Sequence, residues 1–159
     1  MILIITLIQM KLLISGILIA AIVIGFTSCK TKSYLPTNYP KRQLIFGGGG
    51  GFSGVESAYF LLENGQIFSQ TGFDSTYVSL GKLKKKQVNP LFSKADTLSI
   101  DSLEMNAPGN MYYYLAYQMP DSSVHKITWG DPAQHIPENI KDFRNELMQI
   151  ISELKENNP

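Results

Sequence analysis

The chain has 159 residues, 44% of them hydrophobic and 17% charged, with a formal net charge of +1. So even a charge balance excludes the broad basic field that nucleic-acid binding requires, and a single cysteine excludes any internal disulfide. Once a leader is set aside, the remaining length supports one small domain with one core.

From Met1 to Phe26 there is one charge, Lys11. A basic head, an apolar stretch from Leu12 to Phe26 and small residues before Cys29 follow the three-part layout of a secretory signal. Met10 offers a second start site. The tail "FTSC", Phe26 to Cys29, resembles a bacterial lipobox, in the relaxed form of Bacteroidetes lipoproteins. That resemblance implies cleavage before Cys29 and lipidation of its thiol. The other reading is an uncleaved signal anchor. We therefore expect a signal peptide over 1–28 and a lipidated tether over 29–42, "CKTKSYLPTNYPKR". Acyl chains contribute roughly 0.8 kcal/mol per buried CH₂, so the membrane is a partner through lipid alone. The missing acidic run after Cys29 favours the outer membrane, facing the periplasm.

The globular domain is expected over 43–159. "QLIF", from Gln43, reads as a first strand. From Val55 to Leu62, Val55, Ser57, Tyr59 and Leu61 alternate with Glu56, Ala58, Phe60 and Leu62. Asn64-Gly65 follows and "QIFSQ" resumes, a strong hairpin signal because both turn residues tolerate positive φ. "STYVSLG" extends or adds a strand. A short helix lies within "GKLKKKQVNPLFSKADTL", either capped by Asn89 before Pro90 or starting near Leu83 and bent at Pro90. Its inward candidates are Leu83, Val88, Leu91, Phe92 and Ala95. "NAPGN", Asn106 to Asn110, reads as a turn. "MYYYLAYQM" and "VHKITWG" form a second hairpin around "PDSS", with Trp129 in the core. The final helix follows Pro137, with Ile140, Phe143, Leu147, Ile150 and Leu154 as its apolar stripe. The fold class is α+β: a single small domain with an antiparallel sheet of about four to five strands, a C-terminal amphipathic helix and a shorter middle helix packed on one face.

Gly49-Gly50-Gly51-Phe52-Ser53-Gly54 matches G-x-G-x-x-G. A dinucleotide fingerprint must open a helix, whose N-terminus meets the phosphates. Here the run feeds a strand, and no Gly-Lys-Ser/Thr occurs, so no nucleotide is expected. A bulge or wide turn between strands needs glycine for close backbone approach and positive φ. Phe52 then either folds back as a core plug or offers an aromatic contact to another protein. On the second reading Gly50, Gly51, Phe52, Ser53 and Gly54 form the partner-binding loop.

His125 and His135 have no Cys/His companion for zinc, and no nucleophile elbow or paired carboxylates stand out. No catalytic residue, cofactor or metal is therefore expected. Lys82, Lys84, Lys85 and Lys86 read as a solvated face. An alternative site would gather Tyr112, Tyr114, His125 and Trp129 around an aromatic pocket, as a small ligand carrier or enzyme.

"LIFGGGGGFSGV" resembles the F-x-x-G-G-F-x-G opening of the emfourin family, small protein inhibitors of thermolysin-like metalloproteases. The later features fall in a similar order: a short helix with Leu91-Phe92, a Tyr-rich hairpin from near Tyr112, His125 on its return strand, then an amphipathic helix. The resemblance implies a small α+β fold and a metalloprotease-like partner. The chain is thus expected to be a non-enzymatic, lipid-anchored envelope protein that binds another protein. A structural envelope lipoprotein is the remaining alternative.

Overall fold

The protein is described by a computed structural model over residues 33–157, residues 73 and 75 excepted. The signal segment, Cys29 and the start of the tether lie outside the described residues. Five antiparallel pairings build most of the sheet. β1 (Gln43–Gly50) pairs with β2 (Ser57–Leu62), which turns into β3 (Gln66–Thr71), followed by β4 (Val78–Lys82) at the edge. The hairpin turns where Asn64-Gly65 places it, but of the pair only Gly65 takes a positive φ. Gly65 has a φ of 91°, its N–H donates to the Leu62 carbonyl at 2.8 Å, and the Asn64 side chain accepts from the Gln66 N–H at 2.9 Å.

The first helix, α1 (Lys85–Thr97), contains Pro90 in its interior. Proline there removes only the hydrogen bond that would reach back to Lys86, in the opening turn. The Gln87 side chain accepts from the Lys84 N–H at 3.0 Å and secures the start. β6 (Met111–Gln118) and β7 (Val124–Trp129) form the second hairpin, and α2 (Glu138–Asn157) closes the chain.

The domain is α+β, as expected, but the sheet is larger and differently built. With β5 (Met105–Ala107) it has seven strands, in the order β4-β3-β2-β1-β6-β7-β5, and it is mixed. β5 pairs parallel with β7. Three residues are too short to show alternation, and Asn106, Pro108, Gly109 and Asn110 dominate the segment, so it reads locally as a turn. Only the neighbouring β7 makes it a strand.

Both helices cover one face. Leu44, Phe46, Tyr59, Leu61, Leu115 and Ile127 share a buried cluster with Val88, Leu91, Phe92 and Ala95 of α1 and with Ile140, Phe143, Leu147 and Ile151 of α2. All five inward candidates of the middle helix are buried. In α2 the stripe turns slightly from the expected one. Ile151 is 1% exposed, whereas Ile150 is half-buried. At 100° per residue the two positions flank the stripe's centre almost equally, so only docking on the sheet chooses between them.

The opposite face is also covered. Tyr39, Ala58, Phe60, Leu62, Phe68 and Tyr114 form a second cluster, with Tyr34 and Tyr77 packed against it. Segment 34–42, read in the sequence as tether, therefore lies on the sheet. Arg42 pins it. Its guanidinium contacts Glu63 at 2.6 Å, Asp96 at 3.1 Å and the Tyr117 hydroxyl at 2.8 Å, and it stacks 5.4 Å from the Phe92 ring centre. Among the described residues, no helix is long and apolar enough to cross a membrane.

Candidate partner-binding site

The glycine run divides into two parts with different tasks. Gly47 to Gly50 continue β1, between β2 and β6. Gly47, Gly48 and Gly49 stand opposite Tyr114, Tyr113 and Tyr112. Each tyrosine leans across its glycine. A Cβ on Gly47 would come within 2.8 Å of the Tyr114 hydroxyl, one on Gly48 within 3.1 Å of Tyr113 Cδ1, and one on Gly49 within 2.9 Å of the Tyr112 hydroxyl. These glycines are strand, not loop, which corrects the expectation for Gly50. They are needed because three consecutive aromatic side chains use the space above them. The matching runs "GGG" and "YYY" were the sequence signal for this pairing.

The loop itself begins at Gly51. Gly50, Gly51 and Gly54 have φ of 94°, 71° and 61°, values open to glycine. The loop is pinned at its root: the Gly51 N–H donates to the Asn110 carbonyl at 2.7 Å. On its far side Glu56 accepts from the Tyr112 hydroxyl at 2.6 Å, and the Glu56 carbonyl accepts from the Gly72 N–H at 2.7 Å. That acceptor carboxylate, before any other cause, holds the Tyr112 hydroxyl above the usual phenol range. Between these anchors Phe52 reaches full exposure, 111% of its reference area. It does not fold back into the core. Ser53, Gly54 and Val55 beside it are exposed as well.

Two side chains near the loop were not singled out by sequence reasoning. Met111, opposite Gly50, is 52% exposed, and Tyr113, opposite Gly48, is 39% exposed. Together with Phe52 and Val55 they place apolar surface at one end of the sheet. The alternation in "MYYYLAYQM" puts Met111 and Tyr113 on one face, but nothing local shows that α2 stops short of covering them. A cleft of about 370 Å³ lies at the base of the loop, lined by Gly54, Glu56, Ala58, Gln70, Gly72 and Tyr112.

The four residues of the alternative pocket do not converge. Strand alternation puts Tyr112 and Tyr114 on the face away from the helices. Trp129 and His125 stand opposite Tyr113 and Tyr117, on the helix face. Trp129 is 7% exposed and packs 6.2 Å from Tyr113, as its core assignment anticipated. His125 and His135 are both exposed. Lys82, Lys84, Lys85 and Lys86 are exposed around the start of α1. Among the described residues, no three His, Cys, Asp or Glu side chains gather as a metal site. No protein-family model matches the chain, and no curated protein matches it.

Proposed function

We propose that the protein is a lipid-anchored, non-enzymatic module of the bacterial envelope that binds another protein through the loop Gly50–Gly54. Cys29 carries the lipid, and the domain faces the periplasm from the outer membrane. The partner class to test first is a thermolysin-like metalloprotease, the target implied by the resemblance of "GGGGGFSG" to the emfourin opening.

One observation carries the reading: a fully exposed phenylalanine at the tip of a loop whose two roots are hydrogen-bonded. Fully burying a phenylalanine side chain is worth about 1.5–3 kcal/mol. A rooted loop loses less conformational freedom on binding than a free one, so more of that energy remains as affinity. Met111, Tyr113 and Val55 extend the apolar contact around it.

The test is inhibition of a thermolysin-like protease by the wild-type protein beside Phe52→Ala. The expected result is inhibition that Phe52→Ala weakens at least tenfold, with the melting temperature unchanged because Phe52 packs on nothing in its own chain. Absence of inhibition at micromolar protein removes the protease as partner. Pull-down from solubilised envelope then asks whether any partner depends on Phe52, and a retained partner indifferent to Phe52→Ala removes the loop. Mass spectrometry of the mature N-terminus tests the anchor: a diacylglyceryl Cys29 is expected, and an intact Met1 or Met10 overturns it.

A further inference from the structure

Beside the loop, on the helix face, lies a cleft of about 230 Å³ lined by Tyr113, Trp129, Lys141, Arg144 and Asn145. Its floor is built around an arginine with no counter-ion. Arg144 is half-buried, and its guanidinium lies 4.5 Å from the Tyr113 ring centre. One terminal nitrogen donates to the Gly47 carbonyl at 3.3 Å, while Nε is buried and makes no hydrogen bond. None of the ion pairs among the described residues includes it. Of the acids around it on α2, Asp142 lies two residues away and so on another side of the helix, Glu146 pairs with Lys94 at 2.6 Å and Glu138 with Lys141 at 3.0 Å. Burial pushes the Arg144 guanidinium below its ordinary range, yet an arginine stays charged at any physiological pH. Gly48 leaves room for the ring that Arg144 stacks on, because a Cβ there would stand 3.1 Å from Tyr113 Cδ1.

Half-burying a cation without a counter-ion is costly, and stacking on one aromatic ring offsets only about 0.5–2 kcal/mol of that. An anion from outside would complete it. The donors present match a carboxylate. A planar guanidinium fork suits the two oxygens of a carboxylate; Lys141, whose ammonium also meets the exposed Glu138 at 3.0 Å, adds a second positive charge to the lining and Asn145 an amide, while Tyr113 and Trp129 line the cleft with aromatic surface. A phosphate fits worse, since the backbone group beside Arg144 is the Gly47 carbonyl, an acceptor that repels further anionic oxygens. Tyr113 of the cleft, opposite Gly48, shares its strand face with the exposed Met111, opposite Gly50 at the root of the loop.

We propose that this cleft binds a carboxylate of the partner polypeptide, an acidic side chain or the chain terminus, next to the apolar contact made by Phe52. The proposal rests on the protein-binding reading above. It implies a partner segment with a carboxylate beside an apolar residue.

Trp129 is the chain's only tryptophan, so its fluorescence reports on this cleft directly. The full chain, extracted in mild detergent, is titrated with four probes. The first is an acetylated, amidated tetrapeptide with glutamate next to phenylalanine. The second is its glutamine counterpart, the third that glutamine peptide with a free C-terminal carboxylate, and the fourth inorganic phosphate. We expect saturable binding of the first or third peptide, whichever source the site accepts, at least tenfold tighter than the neutral peptide. Arg144→Gln abolishes this binding, Arg144→Lys keeps part of it, and Lys141→Gln, at a partly exposed position, weakens it severalfold. Equal binding of the neutral peptide, no binding by any peptide, unchanged binding to Arg144→Gln, or phosphate binding as tightly as the carboxylates each overturns the proposal. If Arg144→Gln fails to fold, the wild-type comparison and Lys141→Gln still decide. Phe52→Ala separates the two ideas: it leaves the carboxylate difference intact even if the loop proves to have no partner.

Discussion

Replacing Gly47 with alanine tests why the strand is glycine-rich. The added methyl would overlap the Ser57 carbonyl oxygen and approach the Tyr114 hydroxyl to 2.8 Å. Gly47 sits in an interior strand, opposite Ala58 on one side and Tyr114 on the other. Tyr114 is 2% exposed and has Lys126 over its ring at 4.1 Å, so it has little room to retreat. Overpacking of a tight interior costs about 1–3 kcal/mol, and here a backbone carbonyl must move too, which argues for the top of that range. Alanine also restricts the unfolded chain, which returns roughly 0.5–1 kcal/mol. The net expectation is a loss of about 2 kcal/mol, a large part of the roughly 5–15 kcal/mol that holds a small domain together. Urea unfolding followed through Trp129 fluorescence measures it. Gly54→Ala is the comparison: nothing lies within 4 Å of the added Cβ, but φ is +61°, so only backbone strain of about 1 kcal/mol is expected. The reasoning is refuted if Gly47→Ala unfolds within about 0.5 kcal/mol of wild type, or if Gly54→Ala proves the costlier change.

Arg42→Met should cost about 2 kcal/mol in the same assay, because Glu63, Asp96 and the Tyr117 hydroxyl all lose a donor; a loss under about 0.5 kcal/mol would show that segment 34–42 is held by its other contacts, the buried Tyr39 and the Gln43 side chain donating to the Pro36 carbonyl among them. Ile151→Ala should cost about 2–5 kcal/mol and Ile150→Ala clearly less; the reverse order in thermal melts would mean that α2 docks in the other rotation. Alkali should unfold the domain through its buried tyrosines. Burial, before any other cause, holds Tyr114 and Tyr117 above the usual phenol value. The unfolded chain then releases these protons first. Their contribution is whole below about pH 10 and is lost as pH rises toward the folded values, by up to about 1.4 kcal/mol per pH unit for each group. Absorbance of tyrosinate should show these phenols ionising together with loss of secondary structure. Ionisation near pH 10 with the fold intact would contradict their burial.

Local physics made several elements legible. Asn64-Gly65 specifies its turn because Gly65 takes the positive φ and the Asn64 side chain accepts from the Gln66 N–H, and the 3.6-residue stripe specifies a C-terminal helix whatever it packs on. The middle helix was read with its correct buried face for the same reason. The glycine run shows the limit of such reading. Its composition alone excludes neither a loop nor a strand, since glycine has no side chain to show an alternation. Pairing with Tyr112, Tyr113 and Tyr114 across a distance of some sixty residues decided that Gly47 to Gly50 are strand and that only Gly51 to Gly54 turn.

The remaining surprises share that cause. β5 exists because β7 offers it a partner. Arg42 looks like one more basic tether residue until Glu63, Asp96 and Tyr117 meet around it. Arg144 looks like the solvated side of an amphipathic helix until Tyr113 and Gly48 meet it from the sheet. Residue type and spacing determined which segments are helix, hairpin and exposed turn, because those depend on neighbours in the chain. Which faces are covered, where Phe52 points and how Arg144 comes to be half-buried without a counter-ion depend on contacts between residues far apart in sequence, and only the tertiary structure decided them.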